Sequence, residues 1–344
     1  MNFLIYFSLI ILSAIIGKIN SSYITQTTLK EIIASGKSIT DSKEHHLIVR
    51  EMIDETPYSM VLKGIYNKNE KVAVKIFWDK RIMDREIAIL QALRATKEVN
   101  IEERGIPKVY YHGTVLKEYN AIVMTLFDES LQKLYERQGK QISDLSILLV
   151  FRQAVEELQY LNRRKVLHNN IKPTNLFLRG TKVFITDFHS ATLNGDQNHA
   201  RPFEFASLGF FEGREPRAID DFQSLVFSIW HIAGIKLGET STNGPAKPEG
   251  FVLWEKRKTG EKESRVREKC AHFQNEIVRE AFESICLGEM LARDRAPDYE
   301  LIYDKLTETI DKINESERPA NFEWLTETKP SGLQRLRTMV KGSK

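Results

Sequence analysis

The chain is poor in cysteine, nearly neutral in charge, and has no hydrophobic run long enough for a comfortable membrane span. Of its 344 residues only Cys270 and Cys286 are cysteines, which excludes a disulfide scaffold and a Cys/His zinc site. We expect both cysteines to be buried free thiols, because a chain with a core this large does not need a disulfide for stability. A single disulfide between them is the alternative. Fifty Lys and Arg against 47 Asp and Glu leave a net charge of +3, so no nucleic-acid partner is expected.

The longest apolar run, residues 3–17, lies at the N-terminus and is followed by polar residues 18–22. Fifteen residues are too few to cross a bilayer comfortably, and they fit the hydrophobic part of a signal peptide. A cleaved signal peptide is the favoured interpretation; a signal anchor and a buried helix are the alternatives. The sequence thus predicts a protein that is secreted or lies in the lumen of the secretory pathway, with no stable membrane span.

This location makes two glycosylation sequons relevant. Asn20-Ser21-Ser22 and Asn314-Glu315-Ser316 both match N-x-[ST], and a chance match is the alternative for each. We expect Asn314 to follow the last helix at a surface position, so the chain is predicted to be a glycoprotein.

Four motifs follow one another in a fixed order. The segment V-A-V-K at residues 72–75 reads as a strand, and eleven residues after its Lys, Glu86 opens an apolar pattern of helical period. Further on come H-N-N-I-K-P-T-N at 168–175 and D-F-H at 187–189, the latter after a β-like run. Each motif alone is weak, but their order and spacing together are a strong signal.

The ordered set resembles the protein kinase superfamily, whose members carry the motifs V-A-I-K, H-R-D-x-x-x-x-N and D-F-G in the same order along the chain. Stretches at 105–107 (G-I-P), 119–124 (Y-N-A-I-V-M) and 297–299 (P-D-Y) are similar to the casein kinase 1 branch. The resemblance covers roughly residues 45–312. It implies an α+β, bilobal protein-kinase-like fold, with a small antiparallel β-sheet and helix αC in the N-lobe and a mainly helical C-lobe. The expected organisation is 1–22 signal peptide, 23–44 N-terminal extension, 45–126 kinase N-lobe, 127–313 kinase C-lobe and 314–344 flexible basic tail.

The resemblance also implies a site. Its expected members are Lys75, Glu86, Met124 and Leu126 for ATP, Asn175 and Asp187 for Mg²⁺ or Mn²⁺, and Asn170 and Lys172 for catalysis. Lys75 and Glu86 are expected to form an ion pair. His168 is expected to pack beneath Phe188, and Asp221 to cap the backbone of the 168–175 loop.

Several of these positions depart from the family. Asn170 stands where the catalytic base Asp is expected, and an amide cannot accept a proton at neutral pH. The three glycine positions of the phosphate loop are Asp54, Thr56 and Ser59, so close approach of backbone to phosphates is hindered. His189 replaces the Gly of D-F-G. Asn169 replaces the Arg that would bind a phosphorylated activation loop.

Three hypotheses follow. The favoured one is a secreted or lumenal casein kinase 1-like pseudokinase, a binding or regulatory module for a protein partner with weak or no ATP binding. The alternative is a weak or unconventional Ser/Thr kinase with a protein substrate. The third is a kinase fold kept for an unrelated binding role without nucleotide.

Overall fold

The computed structural model shows a chain built from two compact units. One unit comprises residues up to 88 together with 108–126, and the other comprises 89–107 and the chain from 127 onward. The residues that the structure describes are 31, 38–40, 46–67, 69–94, 100–115, 119–193, 203–239, 247–256, 258–292, 295–316 and 322.

The first unit is an antiparallel sheet with one helix. Its strands are β1 (Ser38–Thr40), β2 (His46–Glu55), β3 (Ser59–Tyr66), β4 (Glu70–Phe77), β5 (Val109–Val115) and β6 (Tyr119–Thr125), and its helix is α1 (Lys80–Leu93). The strands pair in the order β1-β2-β3-β4-β6-β5. Five strands were expected; β1 is a sixth, which comes from the predicted N-terminal extension and pairs with β2. From Ile89 onward, α1 is counted with the second unit.

Strand β4 shows how the sequence builds this unit. Side chains alternate between the two faces of a strand, so Val74 joins the core on one face. Ala73 and Phe77 join a second apolar cluster that includes Ile87 of α1. Lys75 shares the face of Ala73 and Phe77, which directs its side chain toward the helix.

The second unit is mainly helical, as the resemblance implies. Its helices are α2 (Leu131–Arg137), α3 (Asp144–Arg163), α4 (Leu208–Phe211), α5 (Ala218–Ile232), α6 (Glu249–Glu255), α7 (Thr259–Cys270), α8 (Glu276–Ile285) and α9 (Tyr299–Ser316). Its short strands are β7 (Glu129–Ser130), β8 (Val166–Leu167), β9 (Leu176–Arg179), β10 (Lys182–Ile185) and β11 (Thr192–Leu193). They form two small sheets, β10-β9-β7 and β11-β8.

Helix α3 is the centre of the second unit. It begins at a serine cap, where Ser143 Oγ accepts the N–H of Ser146 at 3.3 Å. The ring of Phe151 stacks on Phe282 of α8 at 5.1 Å and on Phe222 of α5 at 6.2 Å. Among the helices that the structure describes, none has the length and apolar character needed to cross a membrane.

The predicted fold class is confirmed, and one local expectation is wrong. Asn314 does not follow the last helix: α9 continues to Ser316, and Asn314 is half-buried in its final turn. The helix extends because Ile310 and Ile313 continue its buried apolar face. The two cysteines are free and buried, as expected. The predicted signal peptide, residue Asn20 and, apart from residue 322, the predicted tail beyond 316 lie outside the described residues.

Candidate functional site

The first unit holds a buried ion pair between Lys75 of β4 and Glu86 of α1. The Nζ of Lys75 lies 2.7 Å from Glu86 Oε2, and the two side chains are only 9% and 2% exposed. The predicted pairing is therefore confirmed. That these two residues bind a nucleotide stays a prediction.

The turn between β2 and β3 occupies the position expected for the phosphate loop, and Thr56 closes it. The N–H of Thr56 donates to Ser59 O at 2.8 Å. Its Oγ1 accepts the N–H of Tyr58 at 3.2 Å and the N–H of Ser59 at 3.0 Å. Pro57, between them, has no N–H to offer. The turn is thus held by its own backbone and one hydroxyl group.

The residues before this turn complete the same pattern. The N–H of Glu55 donates to Asp54 Oδ1 at 3.0 Å. Every backbone N–H from residue 55 to residue 59 is therefore engaged within the described turn. Asp54 and Glu55 are both exposed, so they also place two negative charges here.

Met124 and Leu126, which the resemblance assigns to the nucleotide, belong to the core of the first unit. Met124 of β6 is 7% exposed and packs with Ala73 and Ile122, and Leu126 packs against the same cluster. Their expected contact with ATP stays a prediction.

In the second unit, the loop after β8 is fixed by Asp221 of α5. Its Oδ2 accepts the N–H of His168 at 2.7 Å and its Oδ1 accepts the N–H of Asn169 at 2.8 Å. The imidazole of His168 meets Phe188 edge to face, with ring centroids 4.8 Å apart. Both contacts were predicted from the sequence and are confirmed. His168 Nε2 lies 3.0 Å from Thr186 O, so this nitrogen carries the hydrogen because a carbonyl only accepts.

Asn170, Asp187 and His189 form one hydrogen-bonded cluster. Asn170 Nδ2 donates to Asp187 Oδ2 at 3.1 Å. His189 Nδ1 lies 2.8 Å from Asp187 Oδ1 and must donate, since a carboxylate only accepts. The backbone of Asp187 has φ 69°, a left-handed conformation in which Asp and Asn are enriched. Both oxygens of the predicted metal ligand therefore accept hydrogen bonds from neighbouring side chains.

Asn175 and Lys172 frame the other end of the loop. Asn175 Nδ2 donates to Asn170 O at 2.9 Å, and its backbone carbonyl accepts the N–H of Thr186 at 3.0 Å. Lys172 is half-buried, and its carbonyl accepts the N–H of Asn175 at 2.9 Å. Asn175 is thus placed beside Asn170; the metal role of Asn175 and the catalytic role of Lys172 stay predictions.

Asn169 has a role that the sequence did not reveal. Its Nδ2 donates to Ser190 O at 3.1 Å and to Thr192 Oγ1 at 3.1 Å. These bonds tie the loop to β11, the strand that follows D-F-H. The only hint in the sequence is that Asn169 replaces the family's Arg. A short amide side chain can hydrogen-bond to nearby backbone, as Asn169 does here.

Comparison with known proteins is consistent with this geometry. The strand Lys paired with a helix Glu, and the histidine loop anchored by an Asp, define a protein of the kinase-like class. A family model described as the protein kinase domain matches residues 28–208, more than half of the chain. The chain therefore belongs to the protein kinase family.

The relatives found by sequence are casein kinase I homologues of low identity. Casein kinase I homolog 3 of Schizosaccharomyces pombe is 24% identical over 300 residues, 81% of this chain and 65% of that protein. Casein kinase I homolog 1 of the same yeast is 22% identical over 314 residues, 85% of this chain and 67% of that protein. A probable casein kinase I homolog of Encephalitozoon cuniculi is 24% identical over 204 residues, 53% of this chain and 64% of that protein. The chain thus spans about two thirds of these relatives' length and is similar to the casein kinase 1-like branch.

Protein kinase domains in general use ATP together with Mg²⁺, and the residues of this chain fit that requirement only in part. Lys75 and Glu86 are paired as the family needs. The β2–β3 turn, however, uses its N–H groups internally, and both Asp187 oxygens accept side-chain hydrogen bonds. Among the described residues, the Lys75–Glu86 pair therefore fits magnesium–ATP as the family binds it, whereas the β2–β3 turn and Asp187 do not.

Proposed function

We propose that this chain is a secreted or lumenal casein kinase 1-like pseudokinase that acts as a binding or regulatory module for a protein partner, with weak or no ATP binding. The observation that carries the proposal is the closed β2–β3 turn. Phosphates are held in kinases by backbone that approaches them closely. Here the N–H groups of 55–59 are bound to Thr56 Oγ1, Ser59 O and Asp54 Oδ1.

Electrostatics supports the same conclusion. A triphosphate placed near this turn would meet the exposed carboxylates of Asp54 and Glu55, and like charges at close range repel. The buried Lys75, paired with Glu86, is the cation that the kinase family places against the phosphates. Binding is therefore expected to be weak and to depend on Lys75.

Asn170 adds a second obstacle, at the level of chemistry. General-base assistance is typically worth about 10²–10⁴ in rate, and an amide supplies none. Because phosphoryl transfer depends mainly on positioning and charge stabilisation, this loss alone could leave a slow kinase. Together with the closed turn it makes a useful rate unexpected.

The alternative function is a weak or unconventional Ser/Thr kinase that transfers the γ-phosphate of ATP to protein. The observation in its favour is the intact Lys75–Glu86 pair at 2.7 Å, since this pair must be in place in active kinases. The two functions differ in whether ATP is bound productively.

A thermal-shift titration with ATP, with and without Mg²⁺ or Mn²⁺, separates them. Three proteins are compared, each with its own ATP-free melting temperature as reference: the wild type, Lys75→Met/Glu86→Met, and Asp54→Gly/Thr56→Gly/Ser59→Gly. The first variant removes the buried pair without leaving one charge unpaired. The second opens the turn.

We expect a small or undetectable ATP-induced shift in the wild type, none in Lys75→Met/Glu86→Met, and a larger one in the triple-glycine variant. A large wild-type shift that survives in Lys75→Met/Glu86→Met would place the nucleotide elsewhere. A triple-glycine variant that gains nothing would show that the turn does not limit ATP binding.

The location is part of the proposal and rests on residues 1–22 alone. N-terminal sequencing of protein secreted from cells expressing the full chain should find a mature start near residues 18–23. An intact Met1 on a cytosolic pool would refute the secretory location.

A further inference from the structure

The side chains around Asp187 do more than depart from the family pattern. Asp187 Oδ2 accepts from Asn170 Nδ2 at 3.1 Å, and Oδ1 accepts from His189 Nδ1 at 2.8 Å. Two N–H groups from two substituted positions thus converge on the carboxylate that the family uses for metal. Asn170 stands where the family has the catalytic Asp, and His189 stands where the family has the Gly of D-F-G.

A divalent cation and these donors compete for the same atoms. Mg²⁺ needs carboxylate oxygens at about 2.0–2.1 Å in near-ideal octahedral geometry. Each Asp187 oxygen already faces the positive end of an N–H dipole, so a cation at the remaining lone pairs would lie beside two partial positive charges. A metal at Asp187 would therefore either bind at the remaining lone pairs, beside these two N–H groups, or displace Asn170 and His189.

The surrounding backbone opposes such a movement. The N–H of Asn170 donates to His168 Nδ1 at 3.3 Å, and the carbonyl of Asn170 accepts from Asn175 Nδ2 at 2.9 Å. Asp221 holds the N–H groups of His168 and Asn169. Asn170 is 4% exposed, so its amide group has little room for another position.

We propose that Asn170 and His189 together replace the divalent cation at Asp187, so that the loop 168–190 keeps its conformation without metal and the chain takes no Mg²⁺ or Mn²⁺ there. The inference deepens the proposed function and shares with it only the assignment of Asp187 to the family's metal position. It differs from the sequence-based prediction that Asn175 and Asp187 are metal ligands.

The test measures binding of Mn²⁺ alone, by the electron paramagnetic resonance signal of the free ion, to the mature chain without nucleotide. Four proteins are compared: wild type, Asp187→Ala, Asn170→Ala/His189→Ala, and Asn170→Asp/His189→Gly. The double-alanine variant removes both donors without adding a ligand. The Asp/Gly variant removes them and adds a carboxylate. Circular dichroism melting confirms that each variant is folded.

We expect the wild type and Asp187→Ala to give the same Mn²⁺ isotherm. If Asn170 and His189 keep the cation away from Asp187, the double-alanine variant should bind Mn²⁺ measurably more tightly than the wild type. The Asp/Gly variant should bind more tightly again, and adding Asp187→Ala to either should abolish the gain.

Three results would overturn the proposal. The first is a wild-type Mn²⁺ site that Asp187→Ala removes. The second is a gain in the Asp/Gly variant but none in the double-alanine variant, since the new carboxylate would then be the cause. The third is no gain in either folded variant. Because nucleotide is absent throughout, none of these outcomes depends on how the ATP titration ends.

Discussion

At the scale of single residues, Glu157 of α3 is a buried carboxylate without a full set of partners. It is 1% exposed, and in the described structure neither of its side-chain oxygens accepts a hydrogen bond. Lys182 Nζ lies 3.5 Å away. Burial raises the pKa of Glu157 well above its ordinary value, the charge of Lys182 lowers it in part, and that of Glu156 raises it. Gly105, with φ 65°, makes room for it: a Cβ there would lie 1.8 Å from Glu157 Oε1.

This predicts a pH dependence of stability. A raised folded-state pKa means that the folded chain binds the proton more tightly than the unfolded chain. The contribution of Glu157 to the free energy of unfolding is therefore fully present below its unfolded-state pKa of about 4.3. It is lost as the pH rises through the folded-state pKa. In Glu157→Gln the loss should be absent, so its melting temperature relative to wild type should rise from acid to neutral pH. Glu261→Gln, at an exposed position of α7, is the control and should leave the slope unchanged; equal slopes in all three proteins would contradict the account.

At the scale of elements, the β2–β3 turn depends on one hydroxyl group. Thr56 Oγ1 accepts two backbone N–H groups and is 3.1 Å from Ser59 Oγ. A typical hydrogen bond contributes about 1 kcal/mol net, and an unsatisfied donor costs more. Thr56→Ala should therefore lower the free energy of unfolding by about 1–2 kcal/mol in urea denaturation. Thr56→Ser keeps the oxygen and should lose much less; equal losses would show that the hydroxyl does not hold the turn.

The Lys75–Glu86 pair joins β4 to α1. Its contribution to the free energy of unfolding can be measured with a single variant and a double variant. Removing one partner of a buried ion pair leaves an uncompensated charge and costs about 3–5 kcal/mol. Lys75→Met should be destabilised by that order in urea denaturation. Lys75→Met/Glu86→Met replaces both charges by apolar groups and should recover at least half of the loss. A double variant no more stable than the single one would mean that the charge of Glu86 is not the cost.

The elements that sequence predicts well are those with a strong local pattern. Strand β4 (Glu70–Phe77) contains the strand predicted at 72–75, and α1 (Lys80–Leu93) contains the apolar pattern of helical period that was expected to open at Glu86. Strand β1 was missed because Ser38–Thr40 is short, polar at both ends and ordered only by pairing with β2. The end of α9 was placed too early because the polar residues after Ile313 carry no apolar period, although the helix continues to Ser316.

At the scale of the whole molecule, motif order was enough to identify the family and to predict which residues form the candidate site. It predicted that Lys75 pairs with Glu86 and that Asp221 caps the loop, because both contacts follow from the fold. It did not predict that Asn170 and His189 both turn to Asp187, or that Thr56 closes its turn. These contacts depend on side-chain rotamers and on the left-handed backbone at Asp187. Neither can be read from the order of motifs.

Under the proposed function, this member of the kinase family should not transfer phosphate at a useful rate. The reasons are the closed β2–β3 turn, the amide of Asn170 and the two hydrogen bonds that the carboxylate of Asp187 accepts. Asn170→Asp restores only the base, so it should raise activity by less than the ~10²–10⁴ of a full general base. Asn170→Asp combined with glycine at 54, 56 and 59 should raise it further.

The most direct measurement is transfer of ³²P from ATP to casein and to the protein itself, with purified mature wild type and Asp187→Ala side by side. The account predicts that wild-type incorporation is undetectable or very slow and no greater than that of Asp187→Ala. Robust incorporation by the wild type that Asp187→Ala abolishes would contradict it and establish an active kinase.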